Sequence, residues 1–118
     1  MEITDKLLRE IKTLLGDKVR DIEISDYTIL GLIDIANGQF DYYCNLINFN
    51  HDTEPLQYHW VRQYAFGLCL ETLGLVYCKY DGILTVTDGK PRLNYNFYFE
   101  RGELIKQQLI NELKNNNN

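Results

Sequence analysis

From Tyr64 onward the chain carries Ala65, Phe66, Cys69, Leu70, Leu73 and Val76 at spacings that leave a helix almost no polar side. Leu56, Trp60, Tyr64, Leu68 and Leu75 lie on or near one face of the same segment, and the others complete its circumference. A helix that is apolar nearly all round must be surrounded, so the segment from Pro55 to about Tyr80 is expected to run through the middle of the fold. It is too short for a bilayer: the most apolar run, Tyr64 to Tyr77, is interrupted by Glu71 and falls short of the roughly 20 residues a span requires. Such a helix, about 26 residues and about 39 Å long, is hard for a chain of 118 residues to cover alone, and self-association would supply the missing cover. Ala65, Gly67 and Gly74 are small enough to admit a neighbouring helix, or a neighbouring subunit, at close range.

Other helices are expected around it. Ile3, Leu7, Leu8, Ile11, Leu14 and Leu15 recur at helical spacing, and Gly16 stands where a left-handed cap would end that helix. Val19 to Ile24 alternates in part with period two and reads as extended. Ser25 and Asp26 suit a helix start, the hydroxyl accepting from an orphan amide and the carboxylate complementing the dipole. That helix reads from about Tyr27 to Ile47, with Ile29, Leu32, Ile33, Ala36, Phe40, Tyr43, Cys44 and Ile47 as its apolar stripe and a kink or break expected near Gly38. Asn48 to Pro55 reads as a loop, with Pro55 suited to the first turn of the next helix. Gly82 is expected to end that helix, and the β-branched run Ile83-Leu84-Thr85-Val86-Thr87 followed by Asp88-Gly89 predicts a hairpin returning through Arg92 and Leu93. Pro91 would place the returning strand at an edge, open to pairing with another subunit. Tyr95 to Phe99 reads equally as strand or as the start of a last helix containing Ile105, Leu109 and Leu113.

The fold class is therefore mainly α, a small bundle of about four helices with a protruding β-hairpin at about 83–93. One domain is expected over residues 1–114, with 115–118 a disordered polar tail. Seventeen acidic against twelve basic side chains, a net charge of -5, argue against a surface built mainly to neutralise phosphates. Lys79 and Arg92 near tyrosines leave room only for non-specific contact with a passing strand. The first residues, Met1 to Lys6, lack the apolar stretch of a secretory signal, so a cytoplasmic site of synthesis and no membrane association are expected. Cys44, Cys69 and Cys78 are odd in number and show no CxxC spacing, which predicts buried, reduced thiols. His51 and His59 do not match HExxH, and GxSxG, Walker A and GxGxxG sequences are absent. The acids Asp21, Glu23, Asp26 and Asp34 fit helix starts and solubility as well as they fit metal binding. No cofactor, metal or reaction is assigned on this reading.

Two stretches resemble small neck, or head-tail connector, proteins of large tailed bacteriophages. The first runs from Leu15 through Gly16-Asp17-Lys18-Val19-Arg20-Asp21-Ile22-Glu23-Ile24-Ser25-Asp26 into the helix with Leu32, Ile33, Ala36 and Tyr42-Tyr43. It is similar to a short lead helix, an extended segment ending in Asp, and a helix ending in aromatics. The second orders Trp60, Tyr64-Ala65, Leu73-Gly74, Lys79-Tyr80, Gly82, Gly89, Leu93-Asn94 and Gly102 as virion structural proteins of these phages do. Tyr77 stands where the pattern often has arginine, and Tyr95 where a glycine commonly follows Leu-Asn. The resemblance implies a virion protein that assembles as a ring homo-oligomer and contacts the portal and neighbouring neck or tail proteins. Its function would be mechanical, joining head to tail and lining or sealing the DNA channel.

Nine tyrosines and one tryptophan add to that expectation, since both are enriched at interfaces, although core packing explains most of them as well. The candidate subunit-interface residues are Trp60, Tyr64, Gly67, Gly74, Tyr77 and Tyr80 on the long helix, with Ile83, Leu84, Val86, Asp88, Gly89 and Leu93 on the hairpin. Competing readings are another tail or baseplate component, a small cytosolic helical regulator of a phage or host protein, and a small enzyme whose site is assembled from dispersed residues.

Overall fold

A computed structural model describes residues 2–16, 24–46, 54–87 and 95–116 of the chain. They form four helices: α1 (Glu2–Leu15), α2 (Asp26–Leu46), α3 (Glu54–Thr87) and α4 (Tyr95–Asn116), with no strand among the described residues. The local signals at the first two helix ends act as the sequence indicates. Gly16 adopts φ 60° and its N–H donates to the Lys12 carbonyl at 3.0 Å, a left-handed cap that closes α1. Ser25 Oγ accepts from the Thr28 N–H at 3.1 Å and caps α2. Lys12 in the last turn of α1 meets Asp26 in the first turn of α2 at 3.0 Å, so each charge also opposes the dipole end beside it.

α1 buries Leu7, Ile11 and Leu15, one residue per turn, and α2 buries Ile29, Ile33, Ala36, Phe40 and Cys44. α2 runs through Gly38 as one helix, without the break expected there. α3 carries buried side chains on every side between Trp60 and Leu73, as its pattern requires. α4 packs on it most extensively, and α2 and α1 cover the rest. The 34 residues of α3 make a rod of about 51 Å, which sets the 55 Å long axis of the molecule. The shortest axis is 17 Å, room for two layers of helices about 10 Å across.

The hairpin is the main correction. Ile83 to Thr87 are the last residues of α3 rather than a strand, and Gly82 does not end the helix. The reason is cooperative. Val, Ile and Thr cost only a few tenths of a kcal/mol each in a helix and Gly about 1, whereas extending a helix already nucleated adds one hydrogen bond per residue fixed. Asp88, Gly89 and Leu93, the turn and return strand of that reading, lie outside the described residues, as does the extended segment over 19–23. Tyr95 to Phe99 are helical, which settles the alternative left open there. α4 continues to Asn116, two residues into the asparagine tract expected to be disordered, and Asn117 and Asn118 are outside the described residues.

Candidate functional site

Trp60 sits where three helices meet. It is 1% exposed, its indole N–H donates to the Leu109 carbonyl of α4 at 2.9 Å, and its ring stacks on Tyr64 at 4.7 Å with a 13° tilt. Phe40 and Tyr43 of α2 approach it at 5.4 and 6.4 Å between centroids. Such a buried aromatic cluster contributes through area and through the indole N–H that the Leu109 carbonyl satisfies. Burial pushes the Tyr64 hydroxyl above its ordinary pKa and the Cys69 thiol up to about 12, so both remain protonated at neutral pH. Cys44 is buried and shifted the same way by burial. Both thiols are free and buried; Cys78 lies in the last turns of α3.

The two glycines singled out on α3 serve the crossing of α3 and α4. A Cβ on Gly67 would stand 3.2 Å from the Gly102 carbonyl oxygen, and one on Gly102 would stand 2.7 Å from the Gly67 carbonyl oxygen and from Glu71 Cγ. A Cβ on Gly74 would meet the Phe99 ring at 3.2 Å. Backbones this close leave no room for a side chain at the contact. Beside the crossing, Lys106 Nζ pairs with Glu71 at 2.9 Å and with Glu103 at 3.6 Å. Burial would lower the Lys106 pKa, but the hydrogen bond and charge of Glu71, together with Tyr64 and Glu103, outweigh it and the net shift is upward.

The structure thus brings Trp60, Tyr64, Gly67 and Gly74 together at one internal seam, covered by the chain's own α2 and α4. Tyr77, Tyr80, Ile83, Leu84 and Val86 lie along the last turns of the same helix. The remaining three candidates, Asp88, Gly89 and Leu93, lie outside the described residues.

A polar cluster ties α1 to α3 on another side. Arg62 donates to Glu10 Oε1 at 2.9 Å and lies 3.2 Å from His59 Nδ1. The Arg62 guanidinium holds the Glu10 carboxyl below its ordinary range. Lys6 Nζ and the Arg62 guanidinium lie 5.2 and 5.8 Å from the Tyr58 ring centroid, each within cation–π reach. These groups pair among themselves and bind the two helices together. No group of three or more His, Cys, Asp or Glu side chains gathers as a metal site among the described residues. No described helix is long and apolar enough to cross a membrane.

The feature that the pattern of α2 did not reveal is on its outer side. Tyr27, Ile35, Tyr42 and Leu46 are half or more exposed, at 86, 50, 57 and 61%. With Gly31 and Gly38 they recur every three or four residues and form a second apolar stripe, directly opposite the buried one. A Cβ on either glycine would meet nothing within 4 Å among the described residues. The signal was present as a second helical register in the same segment, hidden because the stripe headed by Ile29 and Ile33 is stronger. No protein-family model matches the chain, no curated protein sequence matches it, and no solved structure matches its fold.

Proposed function

We propose that the chain is a structural virion protein of a tailed bacteriophage that assembles as a ring in the neck, joins the portal and head to the tail, and lines or seals the DNA channel. The observation that carries this reading is the ordered resemblance from Trp60 through Tyr64-Ala65, Leu73-Gly74 and Lys79-Tyr80 to Gly102. A thin two-layered helical subunit with an apolar stripe left open on α2 supports it, because a part of this shape gains most of its remaining burial by joining copies. The work is mechanical: side chains anchored in subunit contacts hold the ring, and packaged DNA meets it through non-specific contacts at most. The partners are other copies of the chain, the portal, and the next neck or tail protein.

A small helical regulator of a phage or host protein is the second reading, favoured by the same open stripe, since a monomer would use it to bind a target. Quantitative mass spectrometry of purified particles separates the two. The ring reading expects the chain in a fixed ratio to the portal protein. Abundant free protein in infected cytoplasm, with none in particles, would overturn it in favour of the regulator.

A further inference from the structure

We infer that the outer face of α2 docks on the outer face of α4 in a second copy of this chain, a head-to-tail seam between subunits. The inference deepens the ring reading and rests on it for the need to self-associate. Charge selects the partner face. α2 contains three aspartates and no lysine or arginine. Asp34 and Asp41 are exposed along one edge of its apolar stripe. Two α2 faces laid together would line up these carboxylates with no cation on α2 to oppose them, which disfavours a symmetric α2 to α2 contact.

The outer face of α4 answers the stripe in both respects. Phe97 and Leu104 are about half exposed, at 50 and 49%, and exposed Arg101 lies between them in sequence on the same side of the helix. Arg101 also borders a groove of about 280 Å³ between α3 and α4, lined by Gln63 and Gln108 and, one turn further on, by Glu112. Around Arg101 the groove offers a cation and two amides to the Asp34 and Asp41 carboxylates of a neighbouring subunit. Glu112, a like charge in the same groove, sets the limit that these carboxylates must stay clear of. Glu100 and Glu103 border Leu104 on its other side, which fixes the edge of α4 that the acidic edge of α2 must avoid. The helices are alike in length, 21 and 22 residues, and Gly31 and Gly38 let the incoming helix approach the α2 backbone. α2 and α4 both pack on α3 and only lightly on each other, so their outer faces are different surfaces of one subunit. A contact between them is heterologous, and repetition closes it into a ring where the rotation allows.

The test uses sedimentation velocity on the full chain and two variants, Ile35→Asp and Leu104→Asp. The wild-type mass should rise with concentration, while each variant alone should stay at the monomer mass. An equimolar mixture of the two should reach twice the monomer mass and stop there, because one intact α2 face and one intact α4 face remain between them. Leu104→Asp assembling like wild type, or a mixture that stays monomeric, would overturn the seam. A third variant, Gly38→Leu, guards against loss of fold: the position is open among the described residues, so this variant should melt no lower than wild type and still fail to associate. Wild-type chain that is monomeric in solution yet present in fixed ratio to the portal in particles would sink this seam and leave the ring reading standing. Absence from particles, with an associating wild type, would do the reverse.

Discussion

Gly67 and Gly102, at the crossing of α3 and α4, and Gly31 and Gly38, along the outer side of α2, have opposite surroundings. At the crossing, an added methyl would stand 2.7–3.2 Å from a backbone carbonyl oxygen of the other helix; on α2 it would touch nothing within 4 Å among the described residues. Both pairs cost helix propensity, about 1 kcal/mol per glycine relative to alanine. At the crossing that cost is offset by close packing inside the chain. On α2 nothing among the described residues offsets it, and the seam inferred between subunits would supply the missing contact.

The sharpest way to break this contrast is Gly102→Ala. Its new methyl cannot move a carbonyl oxygen cheaply, and overpacking of this kind should destabilise the fold by about 2–3 kcal/mol in chemical denaturation; an unchanged midpoint would mean the helices slide apart freely. Removing the charge that bridges the same crossing, with Glu71→Gln, should cost about 1–2 kcal/mol, because it leaves Lys106, with a side chain only 19% exposed, without its nearest carboxylate. The raised Lys106 pKa sets the pH dependence: the pair's contribution is complete below the ordinary lysine value and fades as pH rises through the raised one, so wild type and variant should converge at strongly alkaline pH. On the open side the sign reverses. Gly31→Ala and Gly38→Ala should each stabilise the monomer by about 0.5–1 kcal/mol, seen as a higher Tm at low concentration. The smallest effect belongs to Lys12→Ala: its ion pair with Asp26 is exposed on both sides and should be worth under about 0.5 kcal/mol, with any loss disappearing in high salt.

The order of burial was legible in the sequence where one residue type can do only one job. Apolar side chains around the whole of the Trp60 to Leu73 segment demanded a central helix, and Gly16 and Ser25 marked ends that the backbone confirms. The far end of α3 was not legible, because a β-branched run satisfies strand and helix almost equally and the choice depends on a helix already growing into it. The candidate interface suffered from a related ambiguity. Trp60, Tyr64, Gly67 and Gly74 announce close packing, but nothing in their spacing says whether the cover comes from the same chain or another, and here α2 and α4 provide it. Conversely, Gly31 and Gly38 read as weak points of α2 when they are in fact members of a second register with Tyr27, Ile35, Tyr42 and Leu46.

Trp60, the chain's one tryptophan, gives the molecule an internal optical probe. Its ring is ringed by Phe40, Tyr43 and Tyr64 and tethered to the Leu109 carbonyl, so its emission reads the junction of α2, α3 and α4 at once. Excitation collected by the neighbouring tyrosines is handed to a single acceptor buried at that junction, and a shift of its spectrum to the red means that water has reached the centre. The outer faces of α2 and α4 lie on the far sides of those helices. A change of assembly that leaves the colour of this one residue alone has therefore happened between subunits, and one that alters it has opened the subunit itself.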